Sequence, residues 1–315
     1  MNLQQIEYIL AVAELHSFSK AADKCCITQS TLSTMINKYE KEVSIRIFDR
    51  KTQPVSITKE GAFLIEQLKI IAKEVAVLAE LAQSIKGELS GELKIGVIPT
   101  VAPFILPKFL NNFTKNFPKI KFSISEMTTE TITDLLLKRE LDVGILAIPL
   151  EITSLQEIVL YNEPFVLYDC TQKIAEKYAS IDTLDFEKFW LLSEGHCLHT
   201  QVKNICDIDS IVNKQSINFD FKAGSIDSLV RFVKLNEGIT LLPYLATLDF
   251  TAEENAKIAH FKLPEPVRTI GLITHAHFVK KQILQLLKVE IQATILPLLP
   301  TEEVQKYVVP PVELS

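Results

Sequence analysis

The 315-residue sequence predicts an α/β protein in three parts: a small helical unit with a β-hairpin, one long helix, and a larger C-terminal α/β region. Three observations predict this arrangement. Short helical periodicities and two short β-type runs fill residues 1–58, an unbroken apolar stripe follows over 59–86, and strand-like runs alternate with helix-like runs from residue 92 onward.

Composition excludes several classes of protein. The chain is 47% hydrophobic and 23% charged, as in ordinary globular proteins. It has no apolar run of about 18 residues, and its N-terminus lacks the basic start and apolar core of a secretory signal, so we expect a cytoplasmic protein without a membrane partner. Its net charge is −6, while residues 1–58 carry seven basic and six acidic side chains, which is weak evidence for a nucleic-acid surface.

Residues 1–58 are predicted to form three helices and a wing. Ser17 and Thr28 are the predicted N-cap residues of the second and third helices, because a hydroxyl can accept a hydrogen bond from a free N–H group of the first helical turn. The third helix buries Leu32, Ile36 and Tyr39. Runs 45–48 and 55–57 predict two short strands, which complete a winged helix-turn-helix.

A long helix over residues 59–86 follows the wing. Its apolar residues share one stripe: Phe63, Leu64, Leu68, Ile71, Val75, Leu78, Leu81 and Ile85. A lone helix of about 42 Å with one apolar stripe typically packs on a copy of itself. We therefore interpret residues 59–90 as a dimerisation and linker helix that ends in a hinge at Gly87 and Ser90–Gly91.

The C-terminal region reads as a mostly parallel sheet with helices on both faces. The predicted strands are 93–98, 121–125, 141–148, 165–169, 189–192, 218–222, 239–242 and 269–274, with early helices over 104–117 and 129–139. Ligands of such sheets bind beyond the carboxyl ends of the strands, where Pro99-Thr100-Val101 falls. The tail over 308–311 is predicted to be loose.

The N-terminal sequence resembles the LysR-type transcription regulators. The matching words are Ser17-Phe18-Ser19-Lys20-Ala21-Ala22, Ile27-Thr28-Gln29-Ser30-Thr31-Leu32-Ser33, Ile36 to Glu40, Ile47-Phe48-Asp49-Arg50 and Ile57-Thr58-Lys59-Glu60-Gly61. They cover the whole winged helix at the family's spacing, with Tyr39 and Ser44 as departures where leucine and glycine are usual.

A DNA-reading surface follows from this motif. We expect the third helix to enter the major groove and the wing to contact phosphates or the minor groove of double-stranded promoter DNA. The expected DNA-binding residues are Gln29, Ser30, Thr31, Ser33, Thr34, Lys38, Arg50 and Lys51. The alternative is an ordinary solvated polar face. The resemblance also implies a homodimer, and further a homotetramer, acting with RNA polymerase and without a cofactor.

The remaining sequence resembles the peroxide-sensing (OxyR-like) branch of that family, through words that include Ile98-Pro99-Thr100-Val101-Ala102-Pro103, Glu194-Gly195-His196-Cys197-Leu198, Gly238-Ile239-Thr240-Leu241-Leu242-Pro243 and Arg268-Thr269-Ile270-Gly271-Leu272. This implies a two-lobed, periplasmic-binding-protein-like sensor domain over 91–305, with one lobe from 92–162 plus 269–300 and the other from 163–268. It also implies that Cys197 reacts with hydrogen peroxide, that Cys206 resolves it to a disulfide, and that Thr100, Thr129, His196 and Arg268 form the pocket. Thr200 stands where an aspartate is usual, which puts a proton transfer by that carboxylate in doubt.

The chemistry of the cysteine pair supports this interpretation. A thiolate is the attacking species, and cationic groups such as His196 and Arg268 are expected to lower the pKa of Cys197. The sulfenic acid then condenses with Cys206. If the intervening residues are helical, the two Cα atoms lie about 13 Å apart, whereas a disulfide needs about 4.4–6.8 Å. The helix would then have to unwind.

Several alternatives remain open. The two cysteines could be reduced space-fillers, which would make the C-terminal cleft a receptor for a small metabolite. A thiol peroxidase is a third class, against which the winged helix argues. We expect no metal, although His196, Cys197, His199 and Cys206 are conceivable zinc ligands. Of Cys25 and Cys26, one is expected to pack in the core and the other to be partly exposed, and Cys170 to be inert.

Overall fold

The computed structural model describes residues 2–85, 90–171, 177–181, 184, 188–193, 195–206, 222–300 and 305–311. The chain divides into two compact units, Met1–Glu88 and Leu89–Ser315. No helix among the described residues is long and apolar enough to cross a membrane.

The first unit is built from helices and one hairpin. Its elements are α1 Leu3–Leu15, α2 Phe18–Lys24, α3 Gln29–Val43, β1 Phe48–Asp49, β2 Ser56–Ile57 and α4 Lys59–Ile85. The predicted caps are present: the Ser17 hydroxyl accepts from the Lys20 N–H at 3.3 Å, and the Thr28 hydroxyl accepts from the Thr31 N–H at 3.2 Å. Leu32, Ile36 and Tyr39 are buried in its core, as α3 requires.

The first strand of the wing is shorter than predicted. The N–H groups of Ile47 and Phe48 donate to Oε1 of Glu40 at 2.7 and 3.2 Å. A carboxylate on α3 therefore binds the backbone just before the hairpin, and only Phe48 and Asp49 pair with β2. Glu40 links the third helix to the wing.

Helix α4 packs on the first unit by its N-terminal half. Ile65 and Leu68 are buried in the core of this unit, and Leu64 and Ile71 pack against it. Phe63 and Leu78 are 73% and 66% exposed, so the apolar surface of the helix continues beyond what its own chain covers. The predicted hinge residue Gly87 lies outside the described residues, and Gly91 begins the first strand of the second unit.

The second unit contains one extended sheet in the described part of the chain, with the order β4-β3-β5-β10-β6-β9-β7, while β11 pairs with β10 and β8 with β6. The strands are β3 Gly91–Val97, β4 Ile120–Glu126, β5 Val143–Ile148, β6 Leu155–Asp169, β7 Tyr178–Ala179, β8 Ile239–Pro243, β9 Ile258–Phe261, β10 Glu265–His275 and β11 Lys306–Val308. The helices are α5 Ala102–Asn116, α6 Thr129–Leu137, α7 Cys197–Cys206, α8 Ile226–Leu235, α9 Ala252–Asn255 and α10 Lys281–Ile295.

The sheet is mixed, and the prediction of a mostly parallel sheet is wrong. β3 pairs in parallel with β4 and β5, but β10 runs antiparallel to β5 and β6, and β6 runs antiparallel to β8 and β9. The cause is the path of the chain. β6 carries it from the first half of the sheet to the second and β10 brings it back, so these two long neighbours run in opposite directions.

Two hydrophobic cores lie along this sheet. The first core is formed mainly by residues of β3, β5, α5, α6 and α10, and the second by residues of β8, α7, α8 and the far half of β6. Cys197 belongs to the first core, whereas Leu198 and Cys206 belong to the second. Helix α7 therefore begins where the two cores meet.

The structure corrects further expectations. The predicted strand over 189–192 is reduced to isolated bridges of Phe189 with Ile239 and of Leu192 with Ala223. The predicted strand over 218–222 falls almost wholly outside the described residues. The tail is not loose, because β11 pairs with β10 and the Val309 side chain is buried in the second core.

Candidate functional site

Cys197 is the first residue of α7, directly after a sharp turn. Gly195 has φ +92°, a backbone conformation that favours glycine and that sets the entry into the helix. The Cys197 side chain is 7% exposed. The N-terminus of a helix carries partial positive charge and free N–H groups, so this position favours an anionic sulfur.

Three of the four predicted pocket residues meet at this thiol. Thr100 follows strand β3, Thr129 is the first residue of α6, and Arg268 lies on β10. All three lower the pKa of Cys197, Arg268 by its charge and the threonines by their hydroxyls. The Arg268 guanidinium also donates to Thr100, from Nη1 to Oγ1 at 3.2 Å and from Nη2 to the carbonyl oxygen at 3.0 Å.

Glu163 is a site residue that the sequence analysis missed. It lies opposite Arg268 in the β6–β10 pair and is fully buried. Its Oε2 accepts from Arg268 Nε at 2.8 Å, and its Oε1 accepts from the Leu245 N–H at 2.7 Å. A single acid before the apolar run Phe165-Val166-Leu167 was the available signal. Its partner, 105 positions away, was not readable from the sequence.

The balance of forces raises the pKa of Cys197 above its ordinary value. Burial is the largest cause, and it outweighs Arg268, the two threonine hydroxyls and the Leu198 N–H, all of which lower the pKa. Arg268 lowers the pKa of Cys197 as expected, but the expected net lowering is wrong for this conformation because burial has the larger effect. Arg268 is also paired with Glu163, its Nη2 lying 2.8 Å from Oε2.

His196 does not act as the cation of this site. Burial lowers its pKa, and the nearby His199 lowers it further, so the ring is neutral at neutral pH. It is absent from the groups that lower the pKa of Cys197. Its neighbour His199 is held by a 2.7 Å hydrogen bond between Nδ1 and the Leu192 carbonyl oxygen. His196 thus lies beside the pocket as a neutral group.

The Thr129 hydroxyl has an unmet hydrogen-bonding capacity. Its oxygen is buried and, among the described residues, it has no hydrogen-bond partner apart from its interaction with the Cys197 sulfur, whose pKa it lowers. Buried hydroxyls without partners are uncommon in proteins. An unpaired donor beside a nucleophilic atom is suited to hold a polar reactant.

Cys206 occupies the last turn of the same helix. Burial alone raises its pKa to about 12. A ten-residue helix separates its Cα from that of Cys197 by about 13 Å. Both thiols are free, and in this conformation the geometry forbids a bond between them.

The structure also places the remaining cysteines and the candidate zinc ligands. Cys25 is half-buried against the core of the first unit and Cys26 is exposed, as expected, and Cys170 is buried. Within the described ranges, no three His, Cys, Asp or Glu side chains converge as a metal site. The helix places Cys206 too far from Cys197 for the two sulfurs to bind one metal ion. Thr200, which stands where an aspartate is usual, is half-buried one turn along α7.

Helix α3 presents the predicted polar face. Gln29, Ser30, Thr31, Thr34 and Lys38 are exposed, and so is Lys51 on the wing. These side chains give the helix-turn-helix exposed hydrogen-bonding groups.

Ser33 and Arg50 are engaged within the fold. The Arg50 guanidinium donates to Ser33 Oγ at 2.7 Å and to Glu40 Oε2 at 3.3 Å, and it lies 4.5 Å from the centre of the Phe18 ring. Arg50 therefore fixes the wing against helices α2 and α3, in addition to any contact outside the protein.

Comparison with known proteins agrees with this architecture. Residues 3–62 match the family model "Bacterial regulatory helix-turn-helix protein, lysR family", and residues 86–288 match "LysR substrate binding domain". The chain is 34% identical over 275 residues to the "DNA-binding transcriptional dual regulator OxyR" of Escherichia coli K12, covering 87% of this chain and 89% of that protein. It is 32% identical to the "HTH-type transcriptional regulator EstR" of Acinetobacter baylyi, covering 87% and 90%.

Solved structures agree as well. A full-length OxyR variant from Pseudomonas aeruginosa superposes with a TM-score of 0.71 at 27% identity, covering 93% of this chain and 98% of that one. A hydrogen-peroxide-bound OxyR variant from Corynebacterium glutamicum gives a TM-score of 0.61 at 26% identity, covering 94% and 93%. The chain belongs to the LysR family of DNA-binding transcription regulators, which are not enzymes.

Proposed function

We propose that this regulator is activated by hydrogen peroxide through a reversible Cys197–Cys206 disulfide and controls oxidative-stress genes. The observation that carries the proposal is the pocket of Thr100, Thr129 and Arg268 around the Cys197 thiol, with a second free cysteine at the other end of one helix. Relatives with 32–34% identity are named "Hydrogen peroxide-inducible genes activator", which supports the same chemistry.

The reaction balances in two steps. The Cys197 thiolate attacks one peroxide oxygen, the O–O bond breaks, and the sulfur becomes a sulfenic acid as hydroxide leaves and takes a proton. The Cys206 thiolate then attacks that sulfur, the S–S bond forms as the S–O bond breaks, and the sulfenic oxygen leaves as hydroxide, which takes a proton to become water. Peroxide is reduced and two thiols are oxidised to one disulfide. The Thr100 and Thr129 hydroxyls are suited to hold the peroxide oxygens.

The second step demands a change of shape. Because α7 holds the two Cα atoms about 13 Å apart, it must unwind before the sulfurs can meet. Leu198, Val202 and Ile205 then leave their places in the second core. Formation of the disulfide thereby replaces one local fold of this segment with another. A segment with two alternative folds is the kind of bistable element that a switch needs.

The response is read out on DNA. We infer that two copies pair through the uncovered apolar surface of α4, which includes Phe63 and Leu78, and place two α3 helices about one turn of promoter DNA apart. Gln29, Ser30 and Thr34 would reach base edges, and Lys38 and Lys51 phosphates. Two such dimers associate as a homotetramer, and its action on RNA polymerase completes the proposal.

The test compares operator footprints of the reduced and peroxide-treated protein with those of two variants. Cys197→Ser should bind DNA but show the same footprint with and without peroxide, whereas the matched control Cys170→Ser should respond like the parent chain. A peroxide-dependent footprint in Cys197→Ser would rule out the disulfide switch.

A metabolite receptor is the second candidate. It is favoured by the raised pKa of both thiols, which makes them poor nucleophiles in the present conformation. Thr100 and Arg268 would then hold a polar ligand. Retention of a normal small-molecule response in Cys197→Ser would favour this alternative.

A further inference from the structure

We propose that residues 305–311, here called the C-terminal strap, hold α7 in its helical form and thereby set how readily Cys206 becomes available to Cys197. The strap lies after the last helix and ends near the C-terminus. The proposal depends on the proposed function only for its effect on disulfide formation. The restraint on the helix is a property of the reduced protein.

The strap is anchored on the strand that carries Arg268. Its strand β11 pairs in parallel with the start of β10, in register from Glu265 opposite Lys306 to Val267 opposite Val308. The Val309 N–H extends this pairing with a 2.8 Å hydrogen bond to the Val267 carbonyl oxygen. The anchor therefore ends one residue before Arg268.

The same strap is tied to the helix that carries both cysteines. Gln201 in the middle of α7 is fully buried, and its Nε2 donates to the Val309 carbonyl oxygen at 2.9 Å. One turn later, Asn204 Nδ2 donates to the Pro310 carbonyl oxygen at 3.4 Å. Both bonds join side chains spaced three apart on one helix face to successive carbonyls of the strap, so they hold only while α7 is helical.

The strap also covers the resolving thiol. Val309 is 2% exposed and packs in the second core that contains Cys206. Tyr307 lies close enough to Cys206 for a charge on that sulfur to raise the pKa of the phenol, after the larger effect of burial. Unwinding of α7 therefore breaks the two hydrogen bonds to the strap and, at the same time, removes Cys206 from the apolar cover that the strap provides.

This arrangement makes the strap a restraint on one conformation of the switch. The reduced helix keeps the contacts and the unwound segment loses them, so weakening the strap shifts the equilibrium toward the unwound form. The Cys206 thiol then becomes reachable more often, both for an added reagent and for the Cys197 sulfenic acid.

The direct test is the rate at which iodoacetamide labels Cys206 in the reduced full-length chain, with each labelled cysteine mapped by mass. Val309→Ala should raise that rate about fivefold, and a chain ending at Gln305 by about tenfold or more. Val308→Ala is the matched control, since it makes the same change at an exposed neighbour and should leave the rate unchanged. Buried Cys170 in the same samples reports general loosening of the domain.

The outcomes separate cleanly. Faster labelling of Cys206 with an unchanged Cys170 supports the strap as a specific restraint. Unchanged Cys206 labelling in both strap variants, or equal acceleration at Cys170, overturns it. Peroxide addition to the same proteins is the second arm: disulfide closure should be faster in Val309→Ala. Absence of any Cys197–Cys206 disulfide in the parent chain would refute the proposed function and leave the labelling result standing by itself.

Discussion

Arg268 and Glu163 form a fully buried ion pair, with Nη2 and Oε2 2.8 Å apart, and the guanidinium of this pair also holds Thr100 beside the Cys197 thiol. Arg268 therefore links the buried carboxylate of Glu163 to the pocket around the Cys197 thiol. Its side chain is 1% exposed and that of Glu163 is fully buried, so neither charge is relieved by solvent.

Glu163→Gln should have opposite effects on stability and reactivity. It leaves the Arg268 charge without its partner, which costs about 3–5 kcal/mol of unfolding free energy. The uncovered charge should also lower the pKa of Cys197 and speed its alkylation at neutral pH. Urea unfolding and the pH dependence of iodoacetamide labelling measure the two effects. Glu126→Gln, at an exposed position, is the control. A stable variant with an unchanged Cys197 pKa would contradict the role given to this pair.

Thr129→Val should slow the first oxidation step without harming the fold. The hydroxyl is buried and its interaction is with the Cys197 sulfur, so replacing it with a methyl group is expected to change the free energy of unfolding little. Loss of a donor aimed at the reacting oxygens is expected to slow sulfenic acid formation about 100-fold. Stopped-flow peroxide kinetics in a Cys206→Ser background checks this. Thr133→Val, one turn along the same helix, should retain the parent rate.

Much of the first unit was predictable because its signals are local. Ser17 and Thr28 cap helices within three residues of themselves, and both caps are present. Glu163 and the strap residue Val309 escaped prediction for the opposite reason. The partners of Glu163 lie 105 and 82 positions away, and the contact of Val309 with Gln201 spans 108. No sequence periodicity encodes such distances.

The two threonines of the pocket show which site residues the strand–helix alternation predicts and which only the resemblance to a known family predicts. The loop after β3 was expected at a ligand-binding edge from the strand–helix rhythm, and Thr100 lies there. Thr129 and Arg268 were placed with it only by resemblance, since nothing local marks them. The neutral state of His196 depends on burial and on His199, which the sequence could not show.

Disulfide closure should have a pH profile that reports the state of α7. Within the helix the pKa of Cys206 is raised to about 12, so its thiolate fraction would keep increasing with pH up to that value. If unwinding exposes the thiol first, the closure rate should level off near its ordinary pKa of about 8.5. Rapid quench from the Cys197 sulfenic acid at a series of pH values distinguishes these cases. A rate that still rises tenfold per unit above about pH 10 would mean attack from the folded helix.

Arg50→Ala and Lys51→Ala should separate structure from DNA contact on the wing. Arg50 bonds Ser33 and Glu40, so its loss should lower the melting temperature of the full-length protein's first unfolding transition. Lys51 is exposed, so its loss should leave that transition unchanged. It should also reduce the slope of the logarithm of the DNA-binding constant against the logarithm of the salt concentration by about 0.9. Reversed effects of the two variants would show that Arg50 is the phosphate contact.

Leu78→Glu should weaken the dimer. This side chain is 66% exposed on α4, and placing a charge in an apolar helix pair is expected to raise the dimer dissociation constant at least about tenfold. Sedimentation velocity over a concentration series measures the change. Lys69→Gln makes the same change in net charge at an exposed position on the opposite face of the helix and should leave association intact. A dimer unaffected by Leu78→Glu would place the interface elsewhere.

The most direct test of the disulfide switch is a thiol count on the reduced protein after one equivalent of hydrogen peroxide, with mass mapping of any cross-linked peptide. We predict that two of the five thiols are lost and that one peptide pair joins Cys197 to Cys206. Five remaining thiols in protein that still binds DNA would contradict it.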